Sequence, residues 1–222
     1  MATIVITGAN RGIGLAMARA YAQRGDRVIG ICRRPSEALS ALGQRIESGI
    51  DVTDGDALRS LTERLSDVSI DVLINNAGVL HRDDFEHLES HLEHIRQQFE
   101  INTLAPIRVT RALRDRLGAG AKVAIITSRM GSLTDNDSGG YWGYRISKAA
   151  VNMAGVNLAH ELRPGGISVA LLHPGYVRTD MTGHTGHVDP EESAAALIER
   201  IDQLTLDASG GFWHANGERL PW

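Results

Sequence analysis

One cysteine, Cys32, is all the chain contains, and a lone thiol forms no intrachain disulfide. Nine histidines are present, yet no Cys/His cluster has metal-ligand spacing, so no metal centre is expected. Charge of one sign is also lacking: 23 basic and 27 acidic residues give a net charge of −4 and a pI near 6.1, with the two signs interspersed. Without a basic stripe the chain has no surface suited to nucleic acid. No apolar run approaches the ~18 residues of a membrane span, and no basic stretch followed by a long apolar core opens the sequence. Internal repeats, low-complexity tracts and interdomain linkers are missing too. These absences point to a cytoplasmic enzyme or regulator that needs neither membrane nor nucleic acid.

What remains is a globular composition, 42% hydrophobic and 23% charged over 222 residues, enough to bury a substantial core. Thr3 to Thr7 is a β-branched apolar run too short for a helix, and it reads as a buried strand. Behind it comes Gly8-Ala9-Asn10-Arg11-Gly12-Ile13-Gly14, and then helical composition from Leu15 to Arg24. Glycines between strand and helix let the backbone turn tightly against a diphosphate, which the free N–H groups and dipole of the helix N-terminus stabilise. The spacing is Gly-x3-Gly-x-Gly.

A second strand, Arg27 to Ile31, follows Gly25. In a dinucleotide fold the residue about 20 positions past the glycine loop faces the adenosine ribose, where an acid accepts from the 2′-hydroxyl and an arginine accommodates a 2′-phosphate. Cys32, Arg33 and Arg34 stand there, with no acid, and Arg11 adds a third cation. Guanidinium presents a planar fork of donors to phosphate.

Farther along, Ser36 to Leu42 is expected to be a short helix and Arg45 to Ile50 a third strand leading to Asp51-Val52-Thr53. Thr53 or Asp54 caps a helix through Leu65. Asp71 to Ile74 is a fourth strand ending in Asn75-Asn76-Ala77-Gly78. Leu88 to Leu117 is a long helical segment broken at Pro106, whose missing N–H frees the carbonyl of Asn102 for another partner, such as water. Lys122 to Thr127, Ile167 to Leu172 and Gly211 to His214 complete the strands, and a helix from Glu191 to Leu204 is capped by Asp189. The alternation predicts one α/β domain over residues 1–222, a doubly wound Rossmann-type fold with a mostly parallel seven-stranded sheet and helices on both faces.

Between the fifth and sixth strands lies Gly143-Tyr144-Arg145-Ile146-Ser147-Lys148, opening a small-residue-rich helix. Residues four apart share a helix face, so Tyr144 and Lys148 are neighbours. A phenol titrates near pH ~10, and an adjacent ammonium favours its ionised form, so Tyr144 becomes a candidate general acid or base.

Taken in order, the Thr7 to Gly14 loop, Asp51-Val52, Asn75-Asn76-Ala77-Gly78, Asn102, Ser128, Tyr144-x3-Lys148, and Pro174-Gly175 followed by Thr179 resemble the short-chain dehydrogenase/reductase family over essentially the whole chain. Asp137-x-Gly-Gly and the ending Gly217 to Trp222 look most like its C-factor and sniffer-like carbonyl reductases. The resemblance implies catalysis by Asn102, Ser128, Tyr144 and Lys148. It implies NADP(H) bound by Gly8, Asn10, Arg11, Gly12, Ile13, Gly14, Arg33, Arg34, Asp51, Val52, Asn75, Ala77, Gly78, Tyr144, Lys148, Pro174, Val177 and Thr179. Lys148 would bind the nicotinamide ribose and lower the Tyr144 pKa, and Asn102 would hold a water linking Lys148 to solvent. The substrate would be a small carbonyl or alcohol, and the assembly a homodimer or homotetramer through the helices of Asn102 and Tyr144. An NADP(H)-binding signalling or redox-sensing protein with little turnover is the alternative. Ser128 and Tyr144 are farther apart than is usual in the family, Arg129 stands where a small residue is common, and Thr127 is a second hydroxyl candidate.

Cofactor choice rests on the groups that would meet only the 2′-phosphate. One or two charge-assisted hydrogen bonds, roughly 1.5–3 kcal/mol each, favour NADPH by about one to four powers of ten, with solvent screening pulling toward the lower end. Replacing Cys32→Asp together with Arg33→Ser should reverse the preference, read as kcat/KM for both cofactors at fixed ionic strength. Equal use of NADH by the unmodified chain would refute the arginine argument.

Overall fold

The computed structural model describes all residues from Met1 to Trp222. Seven strands, β1 (Thr3–Thr7), β2 (Arg27–Cys32), β3 (Arg45–Ser48), β4 (Ile70–Asn75), β5 (Leu117–Ile126), β6 (Ser168–His173) and β7 (Gly211–His214), form one sheet. Their order is β3-β2-β1-β4-β5-β6-β7, and every neighbouring pair is parallel. The expected mostly parallel sheet is therefore wholly parallel.

Strand residues alternate between two cores because successive side chains leave opposite faces. Val5, Ile29, Leu73, Val123, Val169 and Leu171 join one cluster, and Ile4, Ile6, Val28, Val72, Ala124 and Ala170 the other. The first is covered by α3 (Gly55–Arg64), α5 (Ala105–Ala112) and α6 (Trp142–Leu162), and the second by α1 (Gly12–Gln23) and α7 (Pro190–Gln203). With 24 and 22 buried residues the clusters are nearly equal, so the sheet is buried on both faces, as its apolar strands require.

Several boundaries differ from the expected ones. The short helix α2 covers Glu37–Ser40, with Ser36 Oγ accepting from Leu39 N at 3.2 Å. The third strand stops at Ser48, because the chain turns at Gly49, where φ is +77°. Asp54 caps α3, accepting from Asp56 N at 2.8 Å, while Thr53 turns its hydroxyl to Asp51. The fifth strand begins at Leu117, five residues before the apolar run announced it, with an irregularity in its pairing to β4. Asp189 precedes α7 without capping it, its carboxylate being engaged by Arg178 at 2.8 Å.

The long helical segment is interrupted before Pro106 rather than at it. An α-helix, α4, runs Leu88–Phe99, a π-turn spans Glu100–Leu104, and Pro106 sits in the first turn of α5. Pro106 has no N–H to give, and the π-turn just before it, where Ala105 N donates to Glu100 O, takes up the break. The π-turn adds the residue that turns Asn102 inward, and such insertions recur at functional sites. No helix is long and apolar enough to cross a membrane.

Candidate active site

The carboxyl ends of β1, β4, β5 and β6 meet the segments that carry the expected site residues. At β1 the chain turns through Gly8, with φ +66°, and a Cβ there would lie 3.0 Å from Ala77 Cα. That close approach is fixed by Thr7, whose hydroxyl oxygen accepts from Asn76 N at 3.0 Å and Ala77 N at 3.1 Å. Asn76 Nδ2 returns a hydrogen bond to Thr7 O at 3.0 Å. The glycine loop and the Asn75-to-Gly78 turn are thus one unit. Helix α1 starts with no side-chain cap and no acid in its first turn, leaving its first N–H groups open to an anion. This is the fit a dinucleotide diphosphate needs, with Asn10, Arg11, Gly12 and Ile13 around it.

Beyond the end of β3, Asp51 lies beside Val52. Burial pushes its carboxyl up, but hydrogen bonds from Thr53 N at 2.9 Å and Thr53 Oγ1 at 2.7 Å, with Arg33 beside it, hold it below the ordinary range. Arg33 is 73% exposed and only 3.9 Å from Asp51, so its donors remain available to a phosphate. Asn10 Nδ2 donates to Arg34 O at 3.1 Å, joining the loop to that corner. Arg11 does not point there: its guanidinium lies 3.5 Å from Asp180, an exposed pair in the segment after β6. In that segment Pro174 O accepts from Ser193 Oγ at 2.8 Å, Val177 is buried, and Thr179 lies 3.4 Å from where a Cβ on Gly12 would stand.

The expected catalytic residues are all buried and come together. Asn102 Oδ1 accepts from Val79 N, and its Nδ2 donates to Val79 O, each at 2.9 Å, with a further hydrogen bond to Ser147 Oγ at 3.0 Å. A Cβ on Gly78 would lie 3.3 Å from Asn102 Oδ1 and 3.9 Å from Lys148 Nζ, so the Asn75-to-Gly78 turn and α6 meet at that glycine. Lys148 Nζ donates to Ile126 O at 2.9 Å and sits 5.6 Å from the Tyr144 ring centre. Of the two hydroxyl candidates, Thr127 turns away and donates to Asn152 Oδ1 at 2.7 Å, while Ser128 acts on the Tyr144 phenol and accepts from Met130 N at 3.1 Å.

The electrostatics differ from the sequence expectation. Burial pushes the Tyr144 phenol up to about 12, and the Ser128 hydroxyl only partly offsets it. Burial likewise pushes the Lys148 ammonium down to about 8. Lys148 does not hold Tyr144 below its ordinary value: burial dominates both groups, and the ammonium is anchored on Ile126 O. His173, at the end of β6, is pushed down to about 3 by burial and then by His214, Arg129 and Lys148, so it is neutral. It meets the His214 ring edge-on at 4.9 Å. Arg129 bridges Asp135 at 2.9 Å and Glu218 at 2.8 Å, tying the loop after Ser128 to the C-terminal strand segment.

The family model for short chain dehydrogenase matches residues 2–189. The chain belongs to that family. A curated relative, the 1-hydroxy-2-glutathionyl-2-methyl-3-butene dehydrogenase of Rhodococcus sp. (strain AD45), is 46% identical over the full length of both chains. Among solved structures, the carbonyl reductase Sniffer of D. melanogaster superposes with a TM-score of 0.91 at 29% identity, each chain covered completely. The NADPH-bound carbonyl reductase from chicken fatty liver gives 0.87 at 28% identity, covering 100% of this chain and 99% of that one. Short-chain dehydrogenases bind nicotinamide cofactors, which agrees with the open start of α1.

Sequence reasoning did not find the supports of this short-chain dehydrogenase's site. Thr7, Asn76, Ser147, Asn152 and Asp83 act across 21 to 70 positions, and no local pattern marks a partner that far away. Lys148 keeps its proton only below about pH 8, and a neutral amine is a weaker donor to a ligand hydroxyl. NADPH affinity, followed by the fluorescence of the bound nucleotide, should therefore weaken severalfold between about pH 7 and about pH 9.5. A flat profile would remove Lys148 from the cofactor contacts.

Proposed function

We propose that the chain is an NADP(H)-dependent oxidoreductase that reduces a ketone or aldehyde to an alcohol, with Tyr144 as the proton donor. The observation that carries this reading is the convergence of Ser128, Tyr144 and Lys148, all buried, on the helix and strand end adjoining the Gly8-to-Gly14 loop and the Asn75-to-Gly78 turn. The carbonyl reductases of similar fold, one of them NADPH-bound, support the same reaction class. Exposed Arg33, with Arg34 beside it, supports a 2′-phosphate on the cofactor.

When bound, the nicotinamide supplies the hydride chemistry of the reaction. The protein supplies position and protons. Ser128 holds the substrate oxygen by a hydrogen bond, and Tyr144, protonated across the neutral range, passes its phenolic proton to that oxygen. Lys148, charged below about pH 8, would hold the cofactor ribose with the donors Ile126 O leaves free, and would return the proton past Asn102. In the reverse direction Tyr144, as the phenolate, would accept the proton of an alcohol. The Rhodococcus relative is a dehydrogenase of a hydroxylated glutathione conjugate, so the substrate panel includes glutathione-conjugated alcohols beside aldehydes, ketones, quinones and pterins.

Tyr144→Phe should leave fold and NADPH affinity nearly unchanged and remove most turnover, because only the transferable proton is deleted. Ser128→Ala should lower kcat on the same substrate while Thr127→Ala, run beside it, changes it little. Near-normal kcat in Tyr144→Phe would sink the assignment, and NADPH binding without turnover on any substrate would point to a sensor instead.

We also place the subunit contact of a homodimer or homotetramer on α4, α5 and α6. Phe99, Leu104, Ile107, Met153 and Leu158 line a groove of about 530 Å³ there, and Met153 is 64% exposed. Two-fold pairing of this face would bury apolar surface that a monomer leaves in water. Sedimentation at micromolar concentration should give at least a dimer, and Met153→Glu should shift it toward monomer.

A further inference from the structure

The catalytic helix begins in an unusual way. Gly139, Gly140 and Tyr141 are all left-handed, with φ of +63°, +67° and +49°, and Tyr141 occupies the N-cap position. A non-glycine residue held there is strained, and its side chain makes no capping hydrogen bond to the N–H groups it precedes. Those groups are taken by a residue about sixty positions away. Asp83 Oδ1 accepts from Trp142 N at 2.5 Å, and Asp83 Oδ2 accepts from Gly143 N at 2.8 Å. A carboxylate is well suited to this place, since it answers both open donors and the positive end of the helix dipole.

The neighbours of Asp83 lie along the same stretch of chain. Its loop continues from the Asn75-to-Gly78 turn, where Val79 is bonded to Asn102 and His81 N donates to Gln98 Oε1 at 3.0 Å. Phe85, from the same loop, lies 5.5 Å from the Trp142 ring. Behind the cap, Gly143 has no room for a side chain: a Cβ would come 2.9 Å from Ile95 Cγ1, 3.0 Å from Asp83 Oδ2, and closer still to the Gln98 amide. Tyr144 is the next residue.

We propose that Asp83 is a positioning residue for the reaction: by accepting both N–H groups ahead of Tyr144 it sets the start of α6, and so the place of the phenol, relative to the cofactor-binding turn. This rests on the oxidoreductase reading above. An alternative partner for those N–H groups would let the first turn of α6 shift, and displacements of about 1 Å at a reacting group cost up to a hundredfold in rate.

The test is Asp83→Asn in the full-length chain, which preserves size but turns one acceptor into a donor facing an N–H group. NADPH affinity should stay within about twofold and the melting temperature within a few degrees, while kcat falls roughly ten- to a hundredfold and the carbonyl KM changes little. Asp83→Glu, which keeps both oxygens, should recover most of kcat, and Phe85→Ala, which leaves the cap intact, should be close to normal. Should Asp83→Asn fail to fold, Asp83→Ser keeps one acceptor and is read in the same way. A kcat within twofold of normal, or a fall matched by equal losses of cofactor affinity and melting temperature, overturns the proposal. A wild-type chain with no turnover on any substrate defeats the oxidoreductase reading instead. Amide exchange then decides for Asp83: it should accelerate at Trp142 and Gly143, whose N–H groups it accepts, in Asp83→Asn, and unchanged exchange there would overturn the positioning role.

Discussion

The backbone of α6 lies against the turn that follows β5 with no space between them. A Cβ on Gly131 would stand 2.6 Å from the carbonyl carbon of Lys148 and 2.9 Å from Ala149 N, so only glycine fits. This contact sets the site, because Ser128 is three residues before Gly131, and Tyr144 and Lys148 lie within a turn of the point where the helix touches it. Side-chain hydrogen bonds then secure the arrangement: Thr127 and Gly131 O hold Asn152 from one side, and Thr103 Oγ1 donates to Ser147 O from the other. A larger residue at 131 would separate the Ser128 hydroxyl from the Tyr144 phenol even with both side chains present.

Burial within this arrangement has an energetic cost. An ammonium that titrates near 8 is held in the fold at the expense of a few kcal/mol at neutral pH, offset by the packing of two nearly equal cores. Its only protein acceptor is Ile126 O, so Lys148 keeps donors for a ligand. The phenol beside it keeps its proton across the neutral range and is a weaker acid than a free tyrosine. Charge stored on lysine and a proton stored on tyrosine differ from the phenolate that their spacing suggested.

Strand identity, order of elements and the residues at strand ends were legible in the sequence because each is written locally, in apolar runs such as Thr3 to Thr7 and in turns such as Asn75 to Gly78. Tyr144 and Lys148 were legible because helix geometry makes neighbours of residues four apart. The sign of the Tyr144 shift was not, since burial depends on everything packed around a group. Pro106 signalled a break near Asn102 but not its form: the π-turn depends on Asn102 finding Val79 and Ser147, which are 23 and 45 positions away. Arg11 was grouped with Arg33 and Arg34 by charge alone, whereas the fold offered it Asp180. The role of Asp83 left no local mark, because the left-handed backbone at Tyr141 that calls for an outside cap cannot be read from composition.

The π-turn at Glu100–Leu104 also sets a phase. An α-helix advances about 100° per residue, so one residue accommodated in the wide turn lets α4 and α5 each present their own faces although they are nearly continuous in sequence. Before the turn Gln98 faces α6, and after it Val109 faces the sheet. Losing a single residue between Glu100 and Leu104 would force a choice, either Asn102 facing the site or Val109 facing the core. The segment therefore tolerates changes of side chain more readily than changes of length, and in this stretch of the chain an insertion or deletion is the more damaging event.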